Sequence, residues 1–228
     1  MLPAPAQAAP VEQPDSLGSY QRHVQLMVGV RTSYLTDDNY RLFSRTVTRA
    51  GENFPVVQLS LGGGVTLLSQ QQLSLAVIGL WDYGGSSSEL RGEQADIDIH
   101  RLALGAELRH HFIPWVYALV RAAPVAVNAR AGLDDSAAGQ TLYSRSWSFG
   151  FDLSAGAALQ LYGKRSSTSR TARVWLIAEG GYGWANSTDL RFRPDKDDEM
   201  APQRIDEVDL GTLAIRGPMF RISGALTL

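Results

Sequence analysis

Four histidines, no cysteine and a strong bias toward arginine limit the chemistry open to this chain before any fold is assigned. His110 and His111 are the adjacent pair in which a metal site would first be sought, since imidazole is a common ligand for zinc and copper. On a strand, however, neighbouring side chains point to opposite faces and such a pair cannot hold one ion, so the plainer reading is an interfacial pair at a rim. His23 and His100 stand alone and read as surface or loop-base residues. A hydrolase would need a nucleophile within hydrogen-bond reach of a base on the same face. His111 can share a face with Ser146 or Ser148, but those serines fall near the opposite end of their strands, and there is no local His-x-Ser motif. Asp195, Asp197, Asp198 and Glu199 offer the oxygens that a hard cation wants, yet Met200 stands where an EF-hand loop needs glycine; a solvated acidic loop is expected. Arg41, Arg45 and Arg49 share a face whether their segment is helical or extended, because a spacing of four satisfies both periods. They form a candidate surface anion-binding set for phosphates or an acidic glycan. No catalytic residue, metal or cofactor is expected from these patterns.

Composition removes further classes. Without cysteine there is no disulfide, thiolate metal site or thiol nucleophile. A net charge of −2 with dispersed basic residues gives no reason to expect nucleic acid. Arginine outnumbers lysine nineteen to two, which suits planar, bidentate pairing with carboxylates in a confined polar interior. No apolar run approaches the roughly 18 residues of a transmembrane helix. Residues 1–21, rich in Pro and Ala, read as a disordered tail in which Ala-Gln-Ala at 6–8 resembles a cleavage site.

The elements that must position these residues are strands. Between Arg145 and Gly163, one face takes Trp147, Phe149, Phe151, Leu153, Leu159 and Leu161, and the other takes Ser146, Ser148, Gly150, Asp152, Ser154 and Gln160. A period of two held this long marks an amphipathic strand and excludes an amphipathic helix. Strands of soluble sheets average about five or six residues, whereas an oblique bilayer crossing needs about 9–11. The polar face, made of Ser, Gly and Gln instead of Lys and Glu, suits a narrow lumen more than a watered sheet surface. Similar alternation predicts strands at residues 23–35, 55–68, 73–83, 97–112, 115–130, 173–185 and 210–228, giving eight in all. The fifth carries Pro124, where a bulge is expected, and the eighth is expected to change register at Gly217-Pro218. Connections alternate between long (36–54, 84–96, 131–144, 186–209) and shorter (69–72, 113–114, 163–172), as up-and-down antiparallel order requires. Trp81, Tyr83, Trp147, Tyr182 and Trp184 lie toward the long-loop end and Trp115 and Tyr117 toward the other, resembling two aromatic girdles.

On this strand pattern, loop asymmetry and a final amphipathic strand ending ISGALTL, the chain resembles the small eight-stranded outer-membrane barrels of Gram-negative bacteria, of the OmpA-like and OmpW-like type. It departs from them in ending on Leu228 where an aromatic residue is usual. The resemblance implies an all-β, antiparallel, up-and-down transmembrane β-barrel over residues 22–228. It also implies an outer-membrane location with both termini periplasmic and a monomeric state. The partners to expect are outer-membrane lipids and lipopolysaccharide, together with a periplasmic or surface protein.

Within such a barrel, the inward parity puts Glu107 beside Arg121 and Glu179 beside Arg221 on adjacent strands at about one height. Arg31, Arg101, Asp152 and Arg216 form a looser layer nearer the outside. Charges in a confined interior persist when paired, so these eight are expected to form a salt-bridged plug. The expected role is structural or surface-interacting, through four extracellular loops. A narrow channel for small solutes or ions is the alternative, and a lipid-modifying enzyme the third.

Overall fold

The computed structural model describes residues 24–36, 55–70, 72–90, 93–135, 140–163, 172–194 and 208–228. The alternation becomes ten strands: β1 (Val24–Ser33), β2 (Val56–Gln70), β3 (Leu73–Leu90), β4 (Glu93–Ile113), β5 (Val116–Asp135), β6 (Gln140–Tyr162), β7 (Arg173–Ala185), β8 (Ser187–Pro194), β9 (Val208–Ala214) and β10 (Gly217–Thr227). Eight of them close a ring: β1 to β7 pair antiparallel in sequence order, β7 pairs with β10, and β10 pairs back with β1. The seam runs from Gln25↔Thr227 to Ser33↔Met219. Closure leaves the wall of the ring without a free edge, which is what a β structure must achieve in hydrocarbon.

Burial is inverted relative to a water-soluble domain. Leu26 and Val28 are about half exposed (52% and 54%), while Arg31 and Glu107 are nearly inaccessible (2% and 0%). The outer face is the apolar one, as a transmembrane barrel requires. Trp81, Tyr83, Trp147, Tyr182 and Trp184 stand on it toward the long-strand end, and His100 joins them by packing on Tyr83 at 4.5 Å. The other girdle is made differently from the expectation. Tyr117 is buried and faces the lumen, where it packs on His111 and Trp175. Phe112 and Tyr162 are the exposed aromatics at that end.

In three segments expected as loops, nearly all the described residues are strand. Residues 84–96 continue the β3–β4 ladder to Leu90↔Glu93, and residues 131–144 continue β5–β6 to Asp135↔Gln140. Residues 186–209 contain β8, which pairs with β9 and touches β6 at Tyr143↔Arg193. Gly, Ser and Asp disfavour a strand by propensity, but propensity is weak once two flanking strands are already in register and can extend their ladder. β4 and β6 reach 21 and 23 residues, about twice what a bilayer crossing uses, so the wall stands well beyond the apolar band.

The register through Pro124 is unbroken, from Ala103↔Val125 to Ala106↔Ala122, so the expected bulge there is absent. Pro124 is exposed on the outer face, and the ladder with β4 skips the residues around it. Within the ring, ladder irregularities fall instead between Thr66 and Leu68, His111 and Ile113, and Gln160 and Tyr162, all toward the short-turn end; a further one, between Asp189 and Arg191, lies in the β8–β9 ladder. The disordered-tail reading of residues 1–21 lies outside the described residues.

Candidate functional site: a charged chain across the lumen

Seven of the eight strands of the ring send a charged side chain inward, and these meet in one continuous chain in which cation and anion alternate. Arg101 donates through Nε (3.0 Å) and Nη2 to Asp152, and Asp152 Oδ2 also accepts from Arg31 Nη1 at 2.7 Å. The same Arg31 Nη1 donates to Asp82 Oδ2 at 3.0 Å. Asp82 is held from its other side by Arg221 Nη2 at 2.8 and 3.1 Å, and Arg221 Nη1 donates to Glu179 Oε1 at 2.7 Å. Glu179 Oε1 accepts from Arg121 Nη1 at 2.8 Å, and Arg121 forks onto Glu107 Oε2 at 2.5 and 3.0 Å. Arg109 closes the series, donating through Nε to Glu107 Oε1 at 2.6 Å and through Nη2 to Gln25 Oε1 at 2.5 Å. Hydroxyls fill remaining acceptor positions: Ser60 donates to Asp82 at 2.6 Å and Ser154 to Glu179 at 3.0 Å.

The expected pairs Glu107 with Arg121 and Glu179 with Arg221 are cross-strand neighbours. The two expected layers are one chain, because Arg121 reaches past β6 to Glu179 on β7 and Arg31 reaches past β2 to Asp82 on β3. Arg216 is a correction. Residues 213, 215, 217, 219 and 221 are all buried, so the inward parity runs through Gly217-Pro218 without a slip and the side chain of Arg216 is exposed. Two members were missed. Asp82 lies between outward Trp81 and Tyr83, and those aromatics already force it inward. Arg109 has the inward parity of Glu107, but its partners can be named only once the lumen is closed.

Above the chain, at the long-strand end, the lumen is filled by Leu35, Val56, Ile97, Ile99, Phe192 and Ile215, each no more than 4% exposed. Where this cap meets Arg31 and Arg101 there remains a cavity of about 10 Å³, room for one water. At the short-turn end the interior mixes polar groups with the packed rings of Tyr117 and Trp175. Gln25 Nε2, Ser74 Oγ, His111 Nδ1 and Gln160 Oε1 are buried there without a hydrogen-bond partner in the protein, and groups of this kind require water.

Among the described residues, the remaining sequence candidates do not assemble into a site. His110 and His111 point to opposite faces, with His110 against Phe112 and His111 against Tyr117. Among the described residues no three His, Asp or Glu come together to hold an ion. Ser148 is buried at the long-strand half of β6, away from His111 at the other end of β4. Arg41, Arg45 and Arg49, and the acidic run at 195–199, lie outside the described residues.

No protein-family model matches the chain, and no curated protein matches it. Among solved structures it is similar to neisserial surface protein A, at 11% identity over 90% of this chain and 97% of that one, with a TM-score of 0.50. It is also similar to Ail, the attachment invasion locus protein of Yersinia pestis (9% identity, 91% and 100% of the two chains, TM-score 0.48). A further match is the outer membrane protease OmpT from Escherichia coli (8%, 90% and 96%, TM-score 0.48). At 11% identity the likeness to neisserial surface protein A speaks for the fold alone, an eight-stranded antiparallel barrel.

Proposed function

We propose that this chain is a bacterial outer-membrane barrel with a sealed lumen, working as a structural or surface-interaction protein through the parts that stand beyond the membrane. The alternating chain of five arginines and four carboxylates carries this reading. A path for solutes would have to break several buried, charge-assisted bonds and then pass the apolar cap. In a low-dielectric interior each broken pair exposes uncompensated charge. Eight-stranded barrels are in any case only wide enough for their own side chains, while water-filled porins use about sixteen strands or more. Within this reading the long-strand end is extracellular and both termini are periplasmic. The protein is monomeric, and its subfamily is the OmpA-like or OmpW-like type. No catalytic role is assigned, since among the described residues Ser74 Oγ, Ser148 Oγ and His111 Nδ1 are buried without a hydrogen-bond partner.

The narrow-channel reading keeps one supporting observation, the unpartnered polar atoms at the short-turn end, which would give ions an entry that stops at Glu107 and Arg109. Single-channel recording of the purified barrel in a planar bilayer separates the two. The sealed reading expects no steady conductance; regular ion-sized steps from the parent protein would reverse it.

A further inference from the structure

Twice the register sets two arginines directly opposite each other on neighbouring strands, once inside the barrel and once outside. Inside, Arg31 faces Arg221 across the seam, and Asp82 from β3 reaches between them to bond both. Outside, Arg130 on β5 faces Arg145 on β6, and both side chains are exposed. Like charges in this relation are destabilising unless an anion lies between them. Among the described residues neither has a carboxylate at ion-pair distance. The other cross-strand neighbour of Arg130 is Asp98, which has turned away, its Oδ1 lying 2.7 Å from where a Cβ on Gly85 would stand. The Arg130 guanidinium lies instead over the Tyr143 ring, 4.4 Å from its centre. Arg145 is oriented by Nε donation to Asn128 Oδ1 at 3.2 Å, and Asn128 is itself fixed by donating to Ser146 O at 3.3 Å. Exposed Arg193 is the register partner of Tyr143. Arg191 is on the same face, in a loose surface pair with Asp189 at 3.9 Å.

The patch has a definite height and a definite floor. Two residues below Arg145, on the same face, is Trp147 of the aromatic girdle, so the guanidiniums stand at the level of lipid headgroups. Below the patch, Phe149 of β6 and Ala126 and Pro124 of β5 form one side of an apolar groove of about 680 Å³ that extends across β4 and β3 to β2, lined on the way by Leu104 and Trp81 and opened at Gly79, where a Cβ would meet nothing within 4 Å. We infer that the outer wall of β5, β6 and β8 is a binding site for a phosphorylated lipid of the outer leaflet, its phosphate held between Arg130 and Arg145 and an acyl chain in the groove beneath. Guanidinium forks match phosphate in geometry as well as charge. The inference rests on the outer-membrane reading above.

The test uses the folded barrel in neutral detergent, titrated with bis-phosphorylated lipid A, with its fully dephosphorylated form and with inorganic phosphate, following bound lipid by native mass spectrometry and the apparent unfolding temperature. Bis-phosphorylated lipid A is expected to bind and stabilise, the dephosphorylated form to bind at least about tenfold more weakly, the phosphate contact with the two guanidiniums being lost, and inorganic phosphate to do neither. The double variant Arg130→Gln, Arg145→Gln should lose at least that factor in lipid affinity. In lipid-free detergent it should unfold at the same temperature as the parent or higher, because it removes a repulsion. Ala126→Phe, which fills the groove, should weaken lipid binding while leaving the barrel heat-modifiable. Equal lipid binding by the parent and the arginine variant, or a variant destabilised equally with and without lipid, would overturn the site. Stabilisation by inorganic phosphate equal to that by lipid would reduce it to a simple anion site and overturn the lipid assignment. A parent that is not heat-modifiable would fail the barrel reading itself, a result distinct from all of these.

Discussion

Glu179 touches more of the charged chain than its sequence neighbours suggest: its Oε1 receives both Arg121 and Arg221, and Ser154 donates to its Oε2. Removing it takes from each guanidinium one of its two carboxylates, leaving Arg121 on Glu107 and Arg221 on Asp82. Glu179→Ala is expected to lower stability by about 3–5 kcal/mol, the usual cost of removing one partner of a buried ion pair, measured as a shift of the urea midpoint in detergent. It should also raise ion conductance above that of the parent; a variant matching the parent in both properties would remove the sealing role. Much of this site is legible in the sequence, because parity alone assigns Glu107, Arg121, Glu179, Arg221, Arg31, Arg101 and Asp152 to the interior. What parity cannot give is which side chains meet across the lumen. The contacts Arg121 to Glu179 and Arg31 to Asp82 skip a strand, so they depend on barrel tilt and side-chain reach, which a period of two does not encode.

At the scale of elements, the sequence is most readable where lipid demands alternation and least readable beyond it. β7 spans residues 173–185, as its pattern predicts. The upper parts of β3 to β6, together with β8, are misread as loops because outside the bilayer no apolar partner enforces the period and the composition turns to Gly, Ser and Asp; β9 is read as the start of the last strand, from which the structure separates it. Arg216 is misplaced for a related reason: Gly217-Pro218 carries a break signal, while the backbone keeps its parity through a short irregular link in which Thr36 N donates to Arg216 O at 3.0 Å. The hairpin of β8 and β9 contributes Phe192, fully buried, and Leu213 to the apolar cap. Phe192→Ala should therefore loosen the cap without opening the ring. The expected outcome is faster cleavage between β8 and β9 by protease added to intact cells, with unchanged heat-modifiability. Cleavage at the parent rate would mean that the hairpin is held by its ladder alone.

For the whole molecule, closure is the dominant fact. Every strand of the ring has a neighbour on both sides, so local opening at an edge, the usual route into unfolding for a sheet, is not available. The protein should remain folded in mild detergent at room temperature and migrate differently on a gel before and after boiling. Identical migration would contradict a closed barrel. The apolar exterior and charged interior also mean that stability belongs to the protein together with its surrounding lipid or detergent.

The Arg31–Arg221 opposition at the seam bears on the order of assembly. β1 and β10 are the most distant barrel strands in sequence, and the residues that should zip them together repel until Asp82 arrives from β3 across the lumen. Ring closure must therefore wait for a strand that is not part of the closing pair, which ties the last ladder to the packing of the interior. Asp82→Asn should act on the clock more than on the final state, slowing refolding into lipid vesicles by a larger factor than it speeds unfolding. A variant that refolds at the parent rate and only unfolds faster would show that the seam closes before the lumen is filled.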